Sequence, residues 1–193
     1  MFVSGLSDDE TQQTYILYEL QKQGMWNVFI DCFHEVDFPV RKRMIHVMNR
    51  NAEITITKTD MPYQQHNVED FLTCCSSEMY PRGTLVFDGN FSVQFLTNLS
   101  LPNAERVVIS KKKLEDNDIL KIATYIAKKI NVTIQFHNCA MNKLSQETIT
   151  KLGNVVKRRM KFAIVYSTGD SWKNIDSQTI YNFEYGTCDK RKE

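Results

Sequence analysis

Several signatures that would name a chemistry are missing from this 193-residue chain. It contains no Gly-x-x-x-x-Gly-Lys-Ser/Thr and no Gly-x-Gly-x-x-Gly, and Gly83, Gly89 and Gly153 stand isolated, so no glycine-rich phosphate loop is expected. No run approaches the roughly 18 apolar residues of a bilayer-crossing helix, and no membrane partner is expected. The five cysteines (Cys32, Cys74, Cys75, Cys139, Cys188) form no Cys-x-x-Cys and are odd in number. Cys74 and Cys75 are adjacent, where a mutual bridge would be badly strained. The opening residues, Met-Phe-Val-Ser-Gly-Leu-Ser-Asp-Asp-Glu, have neither a basic n-region nor a long apolar run, so they do not read as a signal peptide. Together these absences fit a reduced, cytoplasmic protein. Sequons at Asn90, Asn98 and Asn131 then read as coincidences of an Asn-rich chain. Gly and Pro are also scarce, at 7 and 4 residues, in a chain 42% hydrophobic and 24% charged. That is the balance of an ordinary globular protein, not a disordered one.

What is present is a period. Short β-branched runs begin at 107, 132 and 162, so they lie 25 and 30 residues apart. They are Arg106-Val107-Val108-Ile109-Ser110, Val132-Thr133-Ile134-Gln135-Phe136 and Phe162-Ala163-Ile164-Val165-Tyr166. Between them lie helical stretches with apolar stripes, Ile119, Ile122, Ala123 and Ile126 in one and Ile149, Leu152, Val155 and Val156 in the other. Ser145 reads as the cap of the second. Two earlier runs, Ile54-Thr55-Ile56-Thr57 and Thr84-Leu85-Val86-Phe87, extend the count backwards. A strand–helix unit that cannot bury its own apolar surface can do so by stacking on its neighbours. The expected fold class is therefore α/β, a short irregular strand–helix solenoid with a parallel sheet.

Residues 1–50 read instead as a helical N-terminal segment, and 51–193 as the strand–helix repeat domain. Ser7 and Glu10 fit a capping box ahead of Tyr15, Ile16, Leu17 and Leu20. Gly24 breaks that helix. Met25, Trp26, Val28, Phe29, Cys32 and Phe33 recur at helical spacing, Phe38-Pro39 ends the second helix, and Val40 to Met48 forms a third. Val68, Phe71 and Leu72 mark a short helix further on. The tail from Trp172 is less regular: Ile175, Ile180, Tyr181 and Phe183 cap the array or begin a further unit, and Lys190-Arg191-Lys192 is expected to fray.

Charge is uneven. Residues 1–60 net to minus three, 61–104 to minus three and 105–193 to plus seven. Lys111-Lys112-Lys113, Lys128-Lys129 and Lys157-Arg158-Arg159 fall at equivalent places around the strands, and Arg106 and Lys161 flank them. Such stripes would suit a phosphate backbone, but basic residues at helix C-termini also satisfy the macrodipole. Catalytic groups are hard to find. Cys139 with His137 is the only local nucleophile–base pair, and nothing supplies an oxyanion hole. Cys32 and His34, and again His137 and Cys139, put two ligand types two residues apart without the four-ligand set of a structural zinc site. No catalytic residue, cofactor or metal ligand is assigned.

The units from Val107 through Leu114-Glu115-Asp116 to Ile126, and from Val132 through Leu144 to Val155, resemble leucine-rich repeats of the ribonuclease-inhibitor type. His137-Asn138-Cys139 stands where that family places its Asn/Cys position. Ile16-Leu17-Tyr18-Glu19-Leu20-Gln21, with Phe2-Val3-Ser4-Gly5-Leu6 upstream, resembles the helix preceding the repeats in nucleotide-binding leucine-rich-repeat (NLR) immune receptors. The chain departs from the family in its few leucines and unequal units. The resemblance implies a non-enzymatic protein–protein interaction module in innate-immune sensing or scaffolding. Its partner surface would be the outward strand face: Arg106, Val108, Ser110, Thr133, Gln135, His137, Ala163 and Val165. A nucleic-acid-binding protein using the basic C-terminal half is the alternative, and a small α/β enzyme with an unrecognised site is a third.

Overall fold

The α/β expectation holds in the computed structural model of the chain, which describes residues 9–49, 51–57, 61–78, 82–89, 91–101, 103–110, 113–128, 132–139, 144–156 and 161–193. Two compact units are distinguished, Met1–Thr84 with Leu99–Ala104, and Leu85–Asn98 with Glu105–Glu193. No described helix is long and apolar enough to cross a membrane.

The first unit opens with α1 (Glu10–Lys22). Its cap is Asp9, whose carboxylate accepts the Thr11 N–H at 2.8 Å. Ser7, the expected cap, and Phe2 to Leu6 lie outside the described residues. Gly24 breaks the chain as expected, at φ +71, a conformation that costs glycine little. Helix α2 (Trp26–Glu35) then buries Trp26, Phe29, Ile30, Cys32 and Phe33. Helix α3 (Phe38–Val47) carries Pro39 in its first turn, where a missing N–H costs nothing. After β1 (Glu53–Ile56) comes α4 (Pro62–Ser77), longer than its three apolar markers suggested. Phe71 of α4 meets Phe29 and Phe33 of α2 edge-on, at centroid distances of 5.7 and 5.2 Å. Burying each of these rings stabilises the unit by about 1.5–3 kcal/mol. β1 and α4 lie in the same compact unit as the N-terminal helices.

The second unit contains β2 (Thr84–Asp88), which starts at the unit boundary, α5 (Val93–Asn98), β3 (Arg106–Ser110), α6 (Asp116–Ile126), β4 (Val132–His137), α7 (Gln146–Val155), β5 (Lys161–Thr168), β6 (Ser177–Glu184) and β7 (Thr187–Lys192). Its strands lie side by side in chain order. β3, β4 and β5 pair parallel, with Val107 opposite Ile134 and Ile134 opposite Ile164. Sequential parallel pairing is what stacked strand–helix units produce. The stripe on α6 is buried as its periodicity required, through Ile119, Ile122, Ala123 and Ile126. Ser145 caps α7, accepting the Thr148 N–H at 3.2 Å.

One face of this sheet is apolar and packed against helices, α6 on β4 and α7 on β6 and β7. Phe136 stacks on Tyr166, and Phe162 on Phe183, at 5.4 and 4.7 Å between centroids. Tyr181 closes the layer, its hydroxyl accepting the buried Leu144 N–H at 3.1 Å. The tail departs from expectation. Lys190-Arg191-Lys192 does not fray but lies in β7, antiparallel to β6, with Lys192 opposite Thr179. The two-residue turn between them has Tyr185 at φ 52 and Gly186 at φ 82, the doubly positive geometry of a type I′ hairpin.

Candidate functional site

The opposite face of the same sheet carries every residue of the expected partner surface. Registers align them in rows across the strands. One row runs Arg106, Thr133, Ala163, Asn182, Asp189, and the next runs Val108, Gln135, Val165, Ile180, Arg191. A third joins Ser110, His137, Ser167 and Gln178. Strand alternation puts all of them on one side, so the expected grouping is right.

The expected exposure is only half right. Arg106 is exposed, and Thr133 and Ala163 are half-buried. Val108, Ser110, Gln135, His137 and Val165 are buried, at 9% exposure or less, and cannot form a free concave surface. Buried polar groups must find partners, and Gln135 and His137 do. Gln135 Nε2 donates to Ser167 Oγ at 2.9 Å and to the Trp172 carbonyl at 3.2 Å. His137 Nδ1 lies 3.0 Å from Ser167 Oγ, and its Nε2 lies 3.2 Å from Asn138 Nδ2. The segment after β5 therefore folds back over this end of the strands. Alternation in a sequence says which residues share a face, not what covers it.

The open end of the face forms a depression of about 490 Å³ lined by Thr133, Lys161, Ala163, Asn182, Glu184 and Asp189, among others. Lys161 Nζ sits 2.7 Å from Glu184 Oε1, and Arg191 Nε 3.0 Å from Asp189 Oδ2. Hydrogen bonding to Glu184 holds the Lys161 ammonium above its ordinary pKa. The surface thus offers a hydroxyl, a carboxamide and two salt-bridged pairs around a small apolar floor. Such mixed, locally neutral chemistry suits a peptide or protein surface. A phosphate backbone would want unpaired cations in a line. Of the basic clusters, Lys111, Lys112, Lys129 and the whole of Lys157-Arg158-Arg159 lie outside the described residues.

Asn182, Glu184, Asp189 and Arg191 were not anticipated. They reach the site only through the β6–β7 hairpin, for which alternation in 178–183 followed by Tyr185-Gly186 was the available signal. The Cys139 thiol donates to the carbonyls of Ile109 and His137, at 3.6 and 3.7 Å. All five cysteines are free thiols. Burial pushes Cys75 well above its ordinary pKa and raises Cys32, Cys74 and Cys188. No protein-family model matches the chain, and no curated protein or solved structure shows significant similarity to it.

Proposed function

We propose that this protein is a cytoplasmic, non-enzymatic protein–protein interaction module: a short leucine-rich-repeat-like array whose partner surface is the open end of the strand face. The observation that carries the reading is the aligned row Arg106, Thr133, Ala163, Asn182, Asp189, five strands wide and accessible at its edge. Parallel pairing of successive units supports the repeat reading. So do the links between them: Cys139 reaches back to the Ile109 carbonyl of the preceding strand, and Asn138 Nδ2 donates forward to Gly169 O at 3.0 Å. The NLR resemblance of Tyr18-Glu19-Leu20-Gln21, which lies on α1, then suggests innate-immune sensing or scaffolding as the setting.

A photo-crosslinking side chain placed at Thr133 or Ala163 tests this in cells. The expected result is a discrete protein adduct from both positions and none from Lys121, which is exposed on α6. Adducts to nucleic acid, or equal labelling at all three positions, would overturn the reading.

A further inference from the structure

Three potential metal donors meet in the first unit, on the two helices that pack there through Phe29, Phe33 and Phe71. His34 lies in the last turn of α2, and His66 and Asp70 sit one turn apart on α4. One ligand atom from each lies within 4.8 Å of the other two. His34 Nδ1 is 2.9 Å from Asp70 Oδ2, and His66 Nε2 is 4.0 Å from the same oxygen. The two imidazoles meet edge to face at 5.2 Å.

Both imidazoles converge on the same carboxylate oxygen of Asp70. Among the described residues, His34 Nδ1 is buried and makes no hydrogen bond of acceptable angle, despite its closeness to the carboxylate. Arg41 stands at the edge of the group, its Nη1 3.8 Å from Asp70 Oδ2. Its hydrogen bonds, however, go to the carbonyls of Val36 and His34 at the end of α2, so it holds the helix terminus and leaves the carboxylate accessible.

We propose that His34, His66 and Asp70 bind a first-row divalent transition-metal ion, with Zn²⁺ the natural occupant, that clips α2 to α4. Two imidazoles and one carboxylate are a donor set that zinc accepts, with one position left to water. Ligands about 2.1 Å from a tetrahedral ion stand roughly 3.4 Å apart. The observed separations straddle that value, and the exposed His66 can close the difference by a side-chain rotation. The spacing in sequence hid the site: His34 and His66 are 32 residues apart and meet only because the phenylalanine core pairs their helices.

Cobalt(II) titration of the full chain, read by visible absorption and competed with Zn²⁺, tests the assignment. The expected result is saturable d–d bands displaced by one equivalent of Zn²⁺. Loss of an outer-shell partner typically weakens metal affinity about 10–100-fold, so loss of a ligand should do at least as much. His66→Ala removes an exposed side chain and should leave folding intact while weakening binding more than tenfold. His46→Ala, on α3, should leave it unchanged. No saturable binding by the wild type, equal weakening in both variants, or an intense thiolate-to-cobalt band placing cysteine in the coordination sphere would each overturn the proposal.

Discussion

Removing one hydroxyl from each of two neighbouring tyrosines should destabilise the protein in one case and not in the other. Tyr166 and Tyr181 meet edge to face at 6.1 Å and are both buried. The Tyr181 hydroxyl accepts the Leu144 N–H, which opens the approach to α7. Tyr181→Phe keeps the ring, including its contact with Lys190 Nζ at 5.2 Å, but strands that buried N–H. The cost of such an orphaned group is about 1–3 kcal/mol. The Tyr166 hydroxyl is buried with no hydrogen-bond partner among the described residues, so Tyr166→Phe relieves a desolvation penalty and should be neutral or stabilising by up to about 1 kcal/mol. Urea unfolding with unchanged m-values provides the comparison. For a chain of this size the first change corresponds to a fall in Tm of roughly 2–12 °C. Equal losses in the two variants, or a larger loss from Tyr166→Phe, would refute the hydrogen-bond assignment on which the α7 docking rests.

The same phenol has a pH consequence. Burial holds Tyr166 well above its ordinary pKa, so above pH about 10 the unfolded chain releases a proton that the folded chain keeps, and stability falls with rising pH. Tyr166→Phe should flatten that alkaline slope in unfolding curves taken between pH 9 and 11, and an unchanged slope would contradict it. At Gly83 a Cβ would stand 2.1 Å from the Ala52 carbonyl oxygen, the group that also accepts the Thr84 N–H at 3.1 Å. Gly83→Ala must therefore move backbone and should cost on the order of 1–3 kcal/mol, measured by the urea midpoint. Ser145→Ala removes the α7 cap and should cost about 1 kcal/mol, with faster amide exchange confined to the first turn of that helix.

The legible parts of this fold were those whose own residues decide their structure. Val107 to Ile109, Val132 to Phe136 and Phe162 to Tyr166 became β3, β4 and β5 because β-branched and aromatic runs pack on both sides of a buried strand. The α6 stripe was likewise unambiguous. Elements set by their neighbours were not legible. β7, Thr-Cys-Asp-Lys-Arg-Lys, carries no apolar pattern and is a strand because β6 turns it back through Tyr185 and Gly186. Helix α4 runs 16 residues on few apolar anchors, its remaining faces filled by Gln, His, Asn, Cys and Ser. In the candidate site, period two placed eight residues on one face correctly. It could not reveal that the Trp172 carbonyl and Ser167 would engage Gln135 and close half of that face.

That division between a closed and an open half is the claim on which the proposed interaction surface depends. Single cysteines introduced at Thr133, Ala163, Gln135 and Ser167, labelled with a maleimide and quantified peptide by peptide in the native protein, test it directly. Thr133→Cys and Ala163→Cys should label within minutes without denaturant, while Gln135→Cys and Ser167→Cys should label only as the protein unfolds. Rapid native labelling at Gln135 and Ser167, or protection at Thr133 and Ala163, would contradict the account.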